Sequence, residues 1–263
     1  MRRKLKKVKG YLYAKAQKAK YEKHFLGDVD LKYLRMGPEH GDTIVVVFGS
    51  FTRKGVAARY NYVKTLRDIE VPKVFILDDF GLDGRGSYYL GQDGGEEVYR
   101  TTRCLIDSIK VSTGAKTVIY CGSSKGGWAA MRFGLGDPDG IVIAGSPQYL
   151  LGDYAVREYD LEDGNKMLLP YLSAGLKDDA RIQWLNGILR DVIRSSNSFK
   201  PVYLCYSTAE HTYDEHICYL LDDLRSANRD VRVREEKFGN HNDIALYFPD
   251  FLYGIVEELA LGK

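Results

Sequence analysis

One serine lies in a setting that can make it a nucleophile. Residues Cys121-Gly122-Ser123-Ser124-Lys125-Gly126-Gly127 contain the pattern G-x-S-x-G at Gly122, Ser124 and Gly126. An apolar run at 116–121 (KTVIYC) leads in, and a short helical pattern at 126–135 leads out. A serine on so sharp a turn needs small neighbours, because its backbone is strained and the flanking chain approaches closely. The helix start also aims free backbone N–H groups toward developing negative charge. Two other readings use the same residues. The turn can be purely structural, with Ser124 capping the helix, or a glycine-rich loop with Lys125 can cradle a phosphate. The pattern G-x-x-x-x-G-K-[ST] is missing and G-x-G-x-x-G does not occur at this turn, so the nucleophile reading is preferred.

A serine nucleophile needs a base and an acid that orients it. The chain has five histidines. His24 and His40 precede the nucleophile strand, and His211 and His216 flank a helix start. His241 follows the last expected strand, in Phe238-Gly239-Asn240-His241-Asn242-Asp243, where an imidazole can swing over the strand ends. His241 is therefore the expected base. The acid should follow the preceding strand, where Glu210, Asp214 and Glu215 are available. Glu210 lies just past the strand end and is the first choice. Asp214, the second choice, reads with Glu215 as the first turn of a helix, where acids commonly cap. His211, Asp214 and His216 also suggest a metal site, but they lack H-E-x-x-H spacing. No cofactor and no metal is expected.

Acyl transfer also needs two donors aimed at the oxyanion. One is the backbone N–H of Lys125. The other should come from the loop after the first clear strand, at Ser50 or Phe51.

These groups require a scaffold, and strands alternate with helices through most of the chain. Strands are expected at 43–48 (TIVVVF), 73–77 (KVFIL), 116–121, 140–144 (GIVIA), 201–206 (PVYLCY) and 231–237. Helices are expected at 56–70, 96–110, 126–135, 216–227 and 246–260, with a long loop at 79–95. The rhythm breaks at 145–200, a Tyr/Leu-rich stretch with one clear helix near 178–194, read as a helical insertion over one end of the sheet. Such alternation implies a mostly parallel sheet covered on both faces, with chemistry at the carboxyl ends of the strands. The expected division is a basic leader at 1–41 and an α/β domain at 42–263, with the cap at about 146–200.

Composition sets the outer limits. The chain has 263 residues, 44% of them apolar, and a formal charge of +2, which fits a folded chain and argues against a nucleic-acid partner. No window is apolar enough to span a membrane, and no secretory signal is read at the start. Cys104, Cys121, Cys205 and Cys218 lack C-x-x-C spacing, so free thiols and a cytoplasmic location are expected. Residues 1–23 carry ten Lys/Arg against one acid, Glu22. That leader is read as solvated and partly helical, with an anionic membrane surface or an acidic partner as the sharper alternative.

Together these residues resemble the α/β-hydrolase superfamily, whose order of nucleophile, acid and histidine matches Ser124, Glu210 and His241 over about 42–261. More narrowly, Tyr120 to Gly127 and Asp78-Asp79-Phe80-Gly81 look like the capsular-polysaccharide synthesis proteins of the XcbB/CpsF type. They also look like the related accessory Sec proteins that acetylate sugars on secreted adhesins, which are much longer chains. That resemblance implies an α/β-hydrolase-like sheet with a helical lid. It also implies a serine-dependent acyl esterase or O-acyltransferase acting on a carbohydrate or similar small-molecule ester, with glutamate as the acid; a non-catalytic module that uses the same fold to hold a polysaccharide or partner is the alternative.

Overall fold

A computed structural model describes residues 2–173 and 178–261. Its centre is one eight-stranded sheet of β1 (Glu22–Leu26), β2 (Asp30–Met36), β3 (Thr43–Phe48), β4 (Lys73–Ile76), β5 (Thr117–Ser123), β6 (Gly140–Gly145), β7 (Val202–Tyr206) and β8 (Val231–Glu235). The spatial order is β1-β2-β4-β3-β5-β6-β7-β8. Strands β4 to β8 are parallel to β3, and β1 and β2 pair antiparallel at one edge. The β-branched runs form the middle because a strand covered on both faces needs apolar residues at every position. In β3, Ile44, Val46 and Phe48 point into one core cluster while Val45 and Val47 point into the other.

The first cluster is closed by α2 (Glu97–Thr113), α3 (Lys125–Leu135), α4 (Leu151–Asp160), α5 (Leu168–Leu172), α6 (Asp179–Ser195) and α7 (Cys218–Ser226). The second is closed by α8 (Ile244–Leu261) and by Tyr60, Val63, Leu66 and Ile69, with Tyr13, Ala14 and Tyr21 of α1 (Arg2–Tyr21) packed against it. Among the described residues, no helix is long and apolar enough to cross a membrane. The four cysteines are unpaired, with Cys121 and Cys205 buried but Cys104 exposed.

Three expectations change. Residues 22–36, assigned to a leader ending at 41, are two strands of the sheet, and only 2–21 form a separate helix. Their signal is thin: Leu31 and Leu34 are the only fully buried positions of β2, and they serve opposite faces, so neither face shows a pattern. Residues 56–70 form no regular helix but a chain of turns. Buried Tyr60, Val63, Leu66 and Ile69 recur every third residue, and Tyr62 has φ 59°, which interrupts a helix. The insertion at 146–200 contributes three helices (residues 174–177 lie outside the described part). Helix α6 packs on α3 and on α4, so most of the insertion extends one face of the sheet. Among its described residues, only the Tyr154 to Asn165 stretch reaches the cleft described next.

Candidate active site

The serine, the imidazole and the first-choice carboxylate lie beyond the carboxyl ends of β5, β8 and β7. Ser124 follows β5 directly, with φ 53° and ψ −124°, a conformation that costs a non-glycine residue on the order of 1–3 kcal/mol. The surroundings over-determine it. The Ser124 N–H donates to the Gly145 carbonyl at 2.7 Å, and its carbonyl accepts from the Trp128 N–H at 3.0 Å as α3 begins. A Cβ on Gly126 would stand 2.5 Å from the Phe48 carbonyl oxygen, and one on Gly122 would stand 2.5 Å from Gly126 backbone. The two motif glycines are thus required by close backbone approach.

The structure brings Ser124, His241 and Glu210 together. His241 Nε2 is 3.0 Å from Ser124 Oγ, and its Nδ1 is 2.8 Å from Glu210 Oε2. A carboxylate can only accept, so the imidazole proton belongs on Nδ1, and the Nε2 lone pair faces the serine. The Glu210 side chain is fully buried while that of His241 is 19% exposed, so the relay runs from the interior outward. Asp214 is exposed on a π-helical turn (Tyr213–Ile217) and makes no contact with His241. His216 is buried, and its Nδ1 accepts from the Leu150 N–H at 3.3 Å. Burial, reinforced by His211, His241 and Arg157, pushes its pKa down to about 3. Among the described residues, no three His, Cys, Asp or Glu side chains are grouped to hold a metal ion.

The two oxyanion candidates after β3 differ. The Ser50 N–H already donates to Asn61 Oδ1 at 3.1 Å, and its hydroxyl donates to the Ser123 carbonyl at 2.8 Å. The Phe51 N–H has no acceptor among the described residues, and neither has that of Lys125 at the first position of α3. Lys125 Nζ does not reach the cleft. It is 1% exposed, bonds Asp78 Oδ2 at 2.7 Å, and lies over the Phe51 and Tyr89 rings. A phosphate cradled by this ammonium is therefore excluded by burial.

Residues without a sequence motif complete the site. Thr212 Oγ1 is 3.0 Å from His241 Nδ1, and the Ser146 hydroxyl bonds Glu210 Oε1. Gln148 Nε2 is 3.0 Å from Ser124 Oγ and 2.9 Å from His241 Nε2. Only the position of 146–148 after a strand neighbouring the nucleophile strand could have flagged that loop. Tyr88 and Tyr89 are fully buried core residues, whereas Tyr60, Tyr62 and Tyr154 border the cleft.

Ser124 and His241 open into a cleft of about 1150 Å³. Arg53, Lys54, Arg59 and Lys64 line it and pair with no carboxylate among the described residues, and Asp163, Asp243 and Asp250 line it as well.

This is an α/β-hydrolase-like fold with a serine, an imidazole and a carboxylate in line at its strand ends. No protein-family model and no curated protein sequence matches the chain. Solved structures do match. A variant of the capsule O-acetyltransferase of Neisseria meningitidis serogroup A, in complex with CoA, superposes with TM-score 0.73 at 19% identity, covering 89% of this chain and 94% of that one. The Glycosylation Associate Protein complex of Streptococcus agalactiae gives 0.69 at 16% identity, covering 89% of this chain and 46% of that one. The fluorophosphonate-binding serine hydrolase F of Staphylococcus aureus gives 0.60 at 11% identity, covering 91% and 99%. At such identities the likeness establishes the fold.

Proposed function

We propose that the chain is a serine-dependent acyl esterase or O-acyltransferase acting on a carbohydrate or similar small-molecule ester. The observation that carries this reading is the continuous relay from buried Glu210 through His241 to Ser124 on a strained turn facing a cleft. In this mechanism Ser124 Oγ attacks the acyl carbonyl while His241 Nε2 takes its proton. Glu210 holds the imidazole and stabilises the imidazolium. The N–H groups of Lys125 and Phe51 receive the oxyanion, each worth about 3 kcal/mol. Nε2–H then protonates the departing oxygen or sulfur. Water or an acceptor hydroxyl, deprotonated at Nε2, finally attacks the acyl-serine ester, and Nε2–H returns its proton to Ser124 Oγ as that oxygen departs.

A capsule O-acetyltransferase of this fold binds CoA, which supports the transfer arm, and the unpaired cations of the cleft suit a negatively charged donor or acceptor. Unpaired buried thiols favour a reducing, cytoplasmic setting. The basic helix α1 suits an anionic surface or acidic partner, as it did in the sequence.

The test is labelling with a fluorophosphonate probe, comparing the native chain with Ser124→Ala and mapping the modified peptide. Labelling of the native chain alone, at Ser124, is expected. Equal labelling of both, or of neither, refutes the serine mechanism. An ester panel from acetyl to octanoyl, run with and without a sugar acceptor, then separates transfer from hydrolysis.

A further inference from the structure

The loop between β6 and α4 reaches the reacting atoms through Gln148, whose side chain is 1% exposed. Its amide orientation follows from its neighbours. Because Glu210 accepts the Nδ1 proton of His241, Nε2 of that ring can only accept, so the group 2.9 Å away must be the Gln148 NH₂. The opposite end agrees: Gln148 Oε1 accepts from the Tyr88 hydroxyl at 3.1 Å. Tyr88 is itself fully buried, edge-on to Phe51, Trp128 and Tyr154, so the amide is held by a closely packed ring. Gln148 Nε2 also stands 3.0 Å from Ser124 Oγ, with Oε1 3.4 Å from the same oxygen, so its N–H groups lie within reach of the serine hydroxyl.

We propose that Gln148 is a further catalytic residue, donating a hydrogen bond to Ser124 Oγ that strengthens as negative charge builds there. The inference rests on the serine mechanism above and adds to it a third donor, aimed at the nucleophile oxygen, where the oxyanion donors address the substrate oxygen. In the resting state the amide N–H is shared between Oγ and the Nε2 lone pair, where it competes with the serine hydroxyl. When the serine proton moves to Nε2, that nitrogen becomes a donor and no longer accepts from Gln148. The contact to Oγ is then the one that gains. It stabilises Oγ both as it attacks and as it departs from the acyl group, with no change in atoms or electrons. The amide approaches from the protein interior and does not line the cleft, so it takes no room from substrate.

Gln148→Met keeps the length and removes the donor. It should lower the rate constant for fluorophosphonate labelling and kcat for a small ester by about 10- to 100-fold, with KM within twofold, since hydrogen bonds to charged groups have that weight. Tyr88→Phe, which frees the amide but leaves it present, should lower the same two rates by about three- to tenfold. Circular dichroism and thermal midpoints check that both variants remain folded. If the native chain is labelled at Ser124 and Gln148→Met matches it within twofold, the Gln148 role fails alone. A loss that appears wholly in KM also overturns it. If the native chain is not labelled at all, the serine mechanism fails and the Gln148 role with it.

Discussion

Lys125 and Asp78 form an ion pair whose removal should be felt both in stability and at the site. Their side chains are 1% and 0% exposed, and Nζ stands 2.7 Å from Asp78 Oδ2. Burial pushes the Lys125 ammonium below its ordinary pKa, opposed by the Asp78 charge. The carboxylate also accepts from the Ser87 N–H at 2.9 Å, the Tyr89 N–H at 3.1 Å and the Ser87 hydroxyl at 3.2 Å. Lys125→Met leaves a buried carboxylate that keeps these neutral donors, so its cost should fall near the low end of the range for breaking a buried pair, about 3 kcal/mol. Asp78→Asn leaves an uncompensated ammonium and disturbs an acceptor of two backbone N–H groups, which argues for the high end, about 5 kcal/mol. The double variant buries no charge and should cost at least about 2 kcal/mol less than the sum. Urea unfolding followed by tryptophan fluorescence measures all three, since Trp128 is fully buried in α3. Single losses under about 1 kcal/mol, or additivity within about 0.5 kcal/mol, would refute the buried-pair reasoning. Because Nζ also lies 5.2 Å from the Phe51 ring centroid, Lys125→Met should slow probe labelling even at urea-free, fully folded conditions.

Other consequences are separable. Glu210→Gln should reduce kcat by about a thousandfold or more, whereas exposed Asp214→Asn should change it little; the reverse ranking in an ester assay would move the acid to Asp214. His216 stays neutral in the fold down to about pH 3 but takes up a proton near pH 6.5 when unfolded. Its contribution is therefore complete above pH 6.5 and declines as pH falls toward 3, by about 1.4 kcal/mol per pH unit. His216→Gln should flatten urea-midpoint profiles between pH 6.5 and 5, and an unchanged slope would remove His216 as the cause. Reversing Arg53 and Lys54 to Glu should raise KM for an acyl-CoA several-fold at low salt, fading near 0.5 M salt, and leave a neutral nitrophenyl ester unaffected. Equal effects on both substrates would show that the rim acts through structure, not charge.

Much of the architecture was legible because burial on both faces of a parallel strand demands an unbroken apolar run. The runs at 43–48, 140–144 and 201–206 fall within one residue of β3, β6 and β7. Less was legible where burial is one-sided or sparse, as in β1 and β2, and where every-third-residue spacing at Tyr60, Val63, Leu66 and Ile69 imitates a helix.

The sequence by itself determined that a small-residue turn carries Ser124, and that an acid and a histidine follow later strands. Those are local properties of spacing and residue type. Only the tertiary structure decided which groups meet. The choice of Glu210 over Asp214 at the imidazole, the turning of Lys125 Nζ into the core and the placement of Gln148 against Ser124 all arise between segments far apart in the chain. Hydrogen-bond distance between such segments is fixed by how the sheet brings its strand ends together, and no spacing along a chain encodes that directly.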